Sequence, residues 1–266
     1  MLCCLYLRCQ TTIPLLRQRM QQTGSGSRVD EISEQVRALI DGQSFADGRL
    51  PSEPELTRIL GASRATVRQA LSQLEAERII TRKHGVGTFV NQRVLNIGTR
   101  LDQVWDFQEM IQMAGYEPGV RHESLSLRHA SDAILTALSL PSEEEVLTTA
   151  NVFLANGVPV IYCVDVIPAR LVRQAYNDEE LHGPVYRFLE RRCRQRVDYN
   201  ITEILAVGAS EAIARRLGCD AGAPLHFFEE IGYNAAGEPI IYSEEYYSPS
   251  FFEFKIVRKL TTRSSQ

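Results

Sequence analysis

The chain has 266 residues, a length that on the usual domain size suggests about two domains. Apolar residues make up 44% and charged residues 23%, the balance of an ordinary globular protein, and no apolar run reaches the roughly 18–20 residues of a membrane span. The net charge of −4, from 29 basic and 33 acidic residues, gives no whole-chain sign of a nucleic-acid partner. Binding to phosphates needs only one basic face, and the stretch from Leu56 to Leu74 carries Arg58, Arg64 and Arg68 with no acid.

Residues 1–27 read as a disordered extension. They hold Cys3, Cys4 and Cys9 and close on the linker-like Thr23-Gly24-Ser25-Gly26-Ser27. Cys163, Cys193 and Cys219 are scattered, with no spacing typical of a disulfide framework or a zinc site. The expectation is free thiols in a reducing cytoplasm, and neither metal nor cofactor.

Ordered pattern begins at Val29. Ile32, Val36, Leu39 and Ile40 recur at helical spacing, and Asp41-Gly42 ends the run. Ser52 with Glu55 three residues later forms a capping box, Pro54 fits the first turn, and the predicted second helix runs to Leu60. Gly61-Ala62 turns into Ser63, the expected N-cap of a third helix. Val67, Leu71 and Leu74 form its buried stripe, and Arg64 and Arg68 lie on the opposite side. Two helices joined by a glycine turn, the second bearing exposed arginines, form a helix-turn-helix pattern. Ile79–Arg82 and Gly87–Val90 then predict a hairpin whose tip carries Lys83, His84 and Gly85, suited to reach phosphates or the minor groove.

The stretch LPSEPELTRILGASRATVRQALSQLEAERIITRKHGVGTFV, residues 50–90, resembles the DNA-binding domain of the GntR family of transcriptional regulators along its whole length. The resemblance implies a winged helix-turn-helix over residues 28–91. In it Arg64, Thr66 and Arg68 contact DNA from the recognition helix, with Lys83, His84 and Gly85 at the wing. Ser52 and Ser63 are expected at phosphates beside helix N-termini. Pro54 departs from the family pattern, which often has Arg there.

After a linker over 92–100, alternating strands and short helices predict an α+β domain over 101–260, followed by a tail over 261–266. Helices are expected at Gln103–Ala114, from Ser131 to Leu138, at Ala169–Tyr176, at Val185–Arg192 and at Ser210–Leu217. Strands are expected at Val120–Arg128, Val146–Ala155, Val158–Ile167, Ile201–Val207, Pro224–Tyr233, Pro239–Tyr247 and Phe251–Val257. Asn156-Gly157 is a strong hairpin signal. The units 132–162 and 210–242 resemble each other, which suggests an internal duplication.

This half is similar to the UTRA effector-binding domain of the HutC-like branch, on the motifs LANGVPVIY and NAAGEPIIYSEEYYSPSFFEF. That resemblance implies a chorismate-lyase-like fold that senses a small molecule. The family's anion-binding arginines align with Asn151 and Phe153, the carboxylate position falls near Cys163, and Asp106 stands where a helix N-terminus would otherwise meet an anion. A neutral, aromatic or cationic effector is therefore expected, with Tyr162, Asp165, Glu245 and Tyr247 lining its site on the two return strands. Arg128 remains as a candidate anion partner.

The expected function is a ligand-responsive regulator that binds double-stranded operator DNA as a homodimer. A lyase-type enzyme has no catalytic constellation in its favour, and a constitutive DNA-binding protein with a structural second domain stays open.

Overall fold

In the computed structural model, residues 27–42, 45, 48–91 and 99–258 are described. The N-terminal extension up to residue 26, the linker over 92–98 and the C-terminal tail lie outside the described residues. The described chain divides into two compact units: the N-terminal residues to Asn91 with Val257 and Arg258, and the residues from Thr99 to Ile256.

In the first unit, α1 (Arg28–Gly42) buries Ile32, Val36 and Ile40, each four residues from the last, along one face. The helix α2 (Glu53–Leu60) begins at Ser52, whose backbone N–H and hydroxyl both donate to the Glu55 carboxylate at 2.8 and 2.7 Å. It stops at Gly61, whose φ of 60° is the left-handed conformation that glycine adopts cheaply. The helix α3 (Arg64–Ala76) is capped by Ser63 Oγ, which accepts the Thr66 N–H at 3.2 Å. Val67, Ala70, Leu71 and Leu74 of α3 close one core with α1, Leu56, Leu60 and Ile80. The strands β1 (Ile80–Lys83) and β2 (Gly87–Val90) pair antiparallel, and Leu50 N–H donates to Thr88 O on the free side of β2.

The second unit is built on one six-stranded antiparallel sheet. Its strands are β4 (Pro118–His129), β5 (Glu145–Ala155), β6 (Val158–Pro168), β7 (Tyr199–Gly208), β8 (Pro224–Tyr233) and β9 (Pro239–Tyr247), in the order β4-β5-β6-β9-β8-β7. That order is symmetric about the β6–β9 seam. Each half is a strand, a Ser-capped helix and a hairpin, the helices being α5 (Asp132–Ala137) and α7 (Glu211–Leu217). The topology agrees with the repeat seen in the sequence. It places Cys163 opposite Glu245 and Asp165 opposite Ser243 across the seam.

Strand period sends alternate residues to opposite faces. The outer face packs α7 against Val152 and Tyr162, and residues around α5 against Val146, Val166 and Tyr242. The inner face is covered at one end by α4 (Phe107–Met113), packed with Phe153, Ile161 and Tyr247. At its other end it is covered by α6 (Val185–Phe188) and the five-residue π-helix that follows, Leu189–Cys193.

Four expectations are corrected. The helix expected from Gln103 begins only after Asp106, because that carboxylate accepts the Gln108 and Glu109 N–H groups and fixes the N-cap there. Residues 101–105 form a strap instead. The helix expected over Ala169–Tyr176 is a single 3-10 turn, Ala169–Leu171. The Val185–Arg192 helix widens into the π segment after Phe188. The closing strand expected over Phe251–Val257 shrinks to β10 (Phe254–Lys255), paired in parallel with β3 (Thr99–Arg100), which the sequence did not suggest. Phe252 is buried as a core side chain rather than ordered by a ladder, so its apolar run has a packing origin.

Candidate functional site

In the first unit, the face of α3 opposite its buried stripe is polar and open. Arg64 and Arg68 are exposed, and Thr66 is half-buried, its hydroxyl 2.8 Å from Ser63 Oγ. Arg68 reaches Glu53 at 3.1 Å across from α2, an exposed pair that an incoming phosphate or base can displace at little cost. Ser52 and Ser63 are exposed but already occupied as caps, so any phosphate contact uses the neighbouring backbone N–H groups as well.

The wing is held to α3 by Arg82. Its backbone N–H and guanidinium Nε donate to Glu75 at 3.0 and 2.7 Å, and its terminal nitrogen reaches Ser72 Oγ at 3.0 Å. Those contacts to Glu75, the backbone one first, hold its carboxyl below the usual range. Lys83, His84 and Gly85 are exposed at the tip, with the Lys83 ammonium 5.1 Å from the centre of the Phe89 ring. Gly85 has a φ of 72°, which the tight turn requires. Arg49, which sequence reasoning passed over, is exposed and lies against the wing at Gly87. It precedes the LPSE box, and the Arg49–Phe89 bridge together with the Leu50–Thr88 hydrogen bond brings it to the wing.

In the second unit, a cavity of about 430 Å³ opens between the strap, α4, α6 and the inner face of the sheet. Of the residues expected to line it, Glu245 and Tyr247 do so. Asp165 shares the inner face but sits beneath the surface, its carboxylate accepting from Ser243 Oγ at 2.7 Å and Cys163 Sγ at 3.4 Å. Tyr162 and Arg128 fall on the other face. Tyr162 lies under the Arg216 guanidinium at 4.9 Å, and Arg128 is exposed on the edge strand β4 opposite outward-facing Val146. Both are corrections, and the reason is strand parity: one residue along a strand changes the face.

Asn151 and Phe153 carry no cation into the cavity. The Asn151 amide is used up by Leu181 O at 3.0 Å and His122 Nδ1 at 3.0 Å, and Phe153 packs on Phe107 with ring centres 4.7 Å apart. What sequence reasoning missed is the second wall. Trp105, Phe107, Tyr186, Tyr199, Phe228, Glu230 and Phe254 line the cavity from segments far apart in the chain. Glu230 accepts from Thr202 Oγ1 at 2.5 Å, Tyr186 hydroxyl at 3.3 Å and Asn200 Nδ2. Tyr247 donates its hydroxyl to Glu245.

Burial dominates the electrostatics. It raises Asp165 to about 6 against the pull of its two hydrogen bonds. Burial, and then the neighbouring negative charge of Glu230, puts Glu245 well above the carboxylate range. Glu230 is also raised by burial, with its three donors opposing the shift.

A winged helix-turn-helix with an open arginine face, joined to an α+β domain enclosing a ligand-sized cavity, defines a DNA-binding regulator. The family model for bacterial regulatory proteins of the gntR family matches residues 28–90, and that for the UTRA domain matches residues 113–253. The chain belongs to the gntR-family regulators that carry a UTRA domain. It is 28% identical to the HTH-type transcriptional repressor NagR of Bacillus subtilis over 225 residues, 84% of this chain and 91% of that one. It is also 28% identical to the HTH-type transcriptional regulator Rv0792c of Mycobacterium tuberculosis over 249 residues, 91% and 90% of the two chains. The crystal structure of the possible transcriptional regulator YydK from Bacillus subtilis shares the fold with a TM-score of 0.72 at 19% identity, covering 88% of this chain and all of that one. Among the described residues no helix is long and apolar enough to cross a membrane.

Proposed function

We propose that this protein represses transcription by binding operator DNA as a homodimer, through Arg64, Thr66 and Arg68 of α3 and Lys83, His84 and Gly85 of the wing. A small molecule held in the cavity beneath the strap resets it. The observation that carries this reading is the pairing, in one chain, of an open arginine-bearing recognition helix with a cavity of about 430 Å³, within the usual range of roughly 300–1,000 Å³ for ligand sites. Names of relatives agree, since NagR is called a repressor and a 27% identical Escherichia coli protein is called a probable fructoselysine utilization operon repressor.

A dimer is supported by β7, an edge strand exposing Ile201 and Leu205 on its outer face, apolar side chains that a partner could cover. Two recognition helices related by a two-fold axis would read a palindromic site. An effector needs to favour one state by only about 1–3 kcal/mol to change occupancy.

The test is a gel-shift titration on the DNA upstream of its own gene, with light scattering of the free protein. Arg68→Ala is expected to weaken specific binding by about 1–3 kcal/mol if it reads a base edge. Unchanged affinity removes Arg68 from the interface, and a monomer in solution that binds with full affinity overturns the dimer.

A further inference from the structure

The chemistry of the cavity says more than its existence. We infer that the effector is an organic cation, an amine or quaternary ammonium carried on an apolar or aromatic body, with its charge held between Glu245 and Glu230. This rests on the reading of the cavity as the effector site and specifies what the site accepts.

The acidic residues sit where the fold cannot easily hydrate them. On adjacent strands β9 and β8, Glu245 faces Phe228 and Glu230 faces Ser243, so the two glutamates are diagonal neighbours on one face. Asp165 lies one strand further, opposite Ser243. Among the described residues the cavity is lined by the carboxyls of Asp102, Asp198, Glu230 and Glu245 and by one guanidinium, Arg100. Arg100 is bound by Asp102 through Nε at 2.8 Å, so its charge is already answered on the strap. The groups that act on Glu230 are the Thr202, Tyr186 and Asn200 donors, and those that act on Glu245 are Tyr247 and the carboxyls of Glu230 and Asp165, with no lysine or arginine among them. Two buried carboxyls on one floor without a cation resist full ionisation, and burial, then the charge of Glu230, raises the Glu245 carboxyl well above its usual range. An entering cation supplies the missing charge; an entering phosphate or carboxylate adds to the repulsion.

The walls suit the same ligand. Phe228, Tyr247 and Phe254 form a contiguous cluster with ring centres 4.7 to 4.9 Å apart, joined by Phe107. Aromatic faces attract ammonium groups most strongly where water is excluded. A metal ion would instead need several ligating side chains at one point, and no group of three or more His, Cys, Asp or Glu is so placed among the described residues. Trp105, on the strap, presents a buried indole Nε1–H with no hydrogen-bond acceptor, a donor left for an oxygen on the ligand body.

Trp105 is the single tryptophan of the chain, so its emission reports on this cavity. The experiment titrates the full-length protein with benzyltrimethylammonium, benzyl alcohol and phenylacetate, three probes sharing one ring, and follows Trp105 fluorescence. The expected result is saturable binding of the cation at least about tenfold tighter than of either other probe. Glu245→Gln and Glu230→Gln should each weaken it about tenfold or more, while Arg128→Ala on the outer face leaves it unchanged. Circular dichroism melts confirm that the variants fold. Equal or tighter binding of phenylacetate or benzyl alcohol, or cation binding indifferent to both glutamine variants, overturns the assignment. Operator titration in parallel separates the two readings: a cation that fills the cavity without altering DNA affinity supports the cation site and refutes its role as effector site.

Discussion

Replacing Asp165 by asparagine should stabilise the second unit, and only at high enough pH. Asp165 is buried, and burial raises its carboxyl from 3.8 to about 6. Below pH 3.8 both the folded and unfolded states carry the proton. Between 3.8 and 6 the unfolded state ionises first, so folding stability falls as pH rises. Above about 6 the penalty is complete. Two pKa units at roughly 1.36 kcal/mol each give about 3 kcal/mol. The substituted amide does not ionise, and its oxygen can still accept from Ser243 and Cys163, as Asp165 Oδ1 does now. Its new N–H group has no acceptor supplied in advance, which offsets the gain by about 1 kcal/mol or more. Urea unfolding followed through Trp105 at pH 4 and pH 8 measures the effect. Part of the penalty is already present at pH 4, just above 3.8, so the stability difference between Asp165→Asn and wild type should grow by about 2.5 kcal/mol from the lower pH to the higher. A difference of the same size at both pH values refutes the reasoning, because it would mean that Asp165 keeps an ordinary carboxyl in the folded state.

Two further outcomes concern the DNA-binding unit. Gly87 has a φ of 141°, and a Cβ there would stand 2.8 Å from Arg49 Nε. Gly87→Ala should therefore cost about 1–3 kcal/mol in thermal unfolding and displace Arg49 from the wing, lowering operator affinity; a neutral substitution would show that the wing relaxes freely. Arg82→Ala should cost about 1 kcal/mol at pH 7 by removing the guanidinium contacts to Glu75 and Ser72. Glu75 is held below its usual range, so the contribution is present above the unfolded-state value and disappears as pH falls through the folded one. A cost that persists unchanged at pH 3 would assign the effect to packing.

Local chemistry made the first unit readable in the sequence. Ser52, Ser63 and Gly61 mark helix ends by hydrogen bonds and dihedral preferences that depend on only a few neighbouring residues, and Val67, Leu71 and Leu74 announce a buried face by spacing alone. The same holds for the hairpins of the second unit, where Asn156-Gly157 and the alternation through Pro239–Tyr247 appear in the structure as read. The strap was not readable, since residues 103–106 are as compatible with helix as 107–113 until Asp106 takes the cap.

The cavity was half legible. Glu245 and Tyr247 could be placed on a return strand, but the choice of Tyr162 failed because the face a strand residue takes depends on pairing register, and register is a property of two strands. One signal was available: Val160-Ile161-Tyr162-Cys163-Val164-Asp165 and Ile240-Ile241-Tyr242-Ser243-Glu244-Glu245 are repeats of one motif, so Asp165 and Glu245 occupy equivalent positions across the seam. Glu230, Tyr186, Trp105 and Phe254 had no such signal. They converge from four separate segments, and contacts between residues far apart in the chain are fixed by the packing of the sheet, strap and helices together. The sequence by itself determined the modules, the recognition helix and the acidic return strand; the tertiary structure alone decided which side chains face one another across the cavity, because only packing brings distant residues to a common surface.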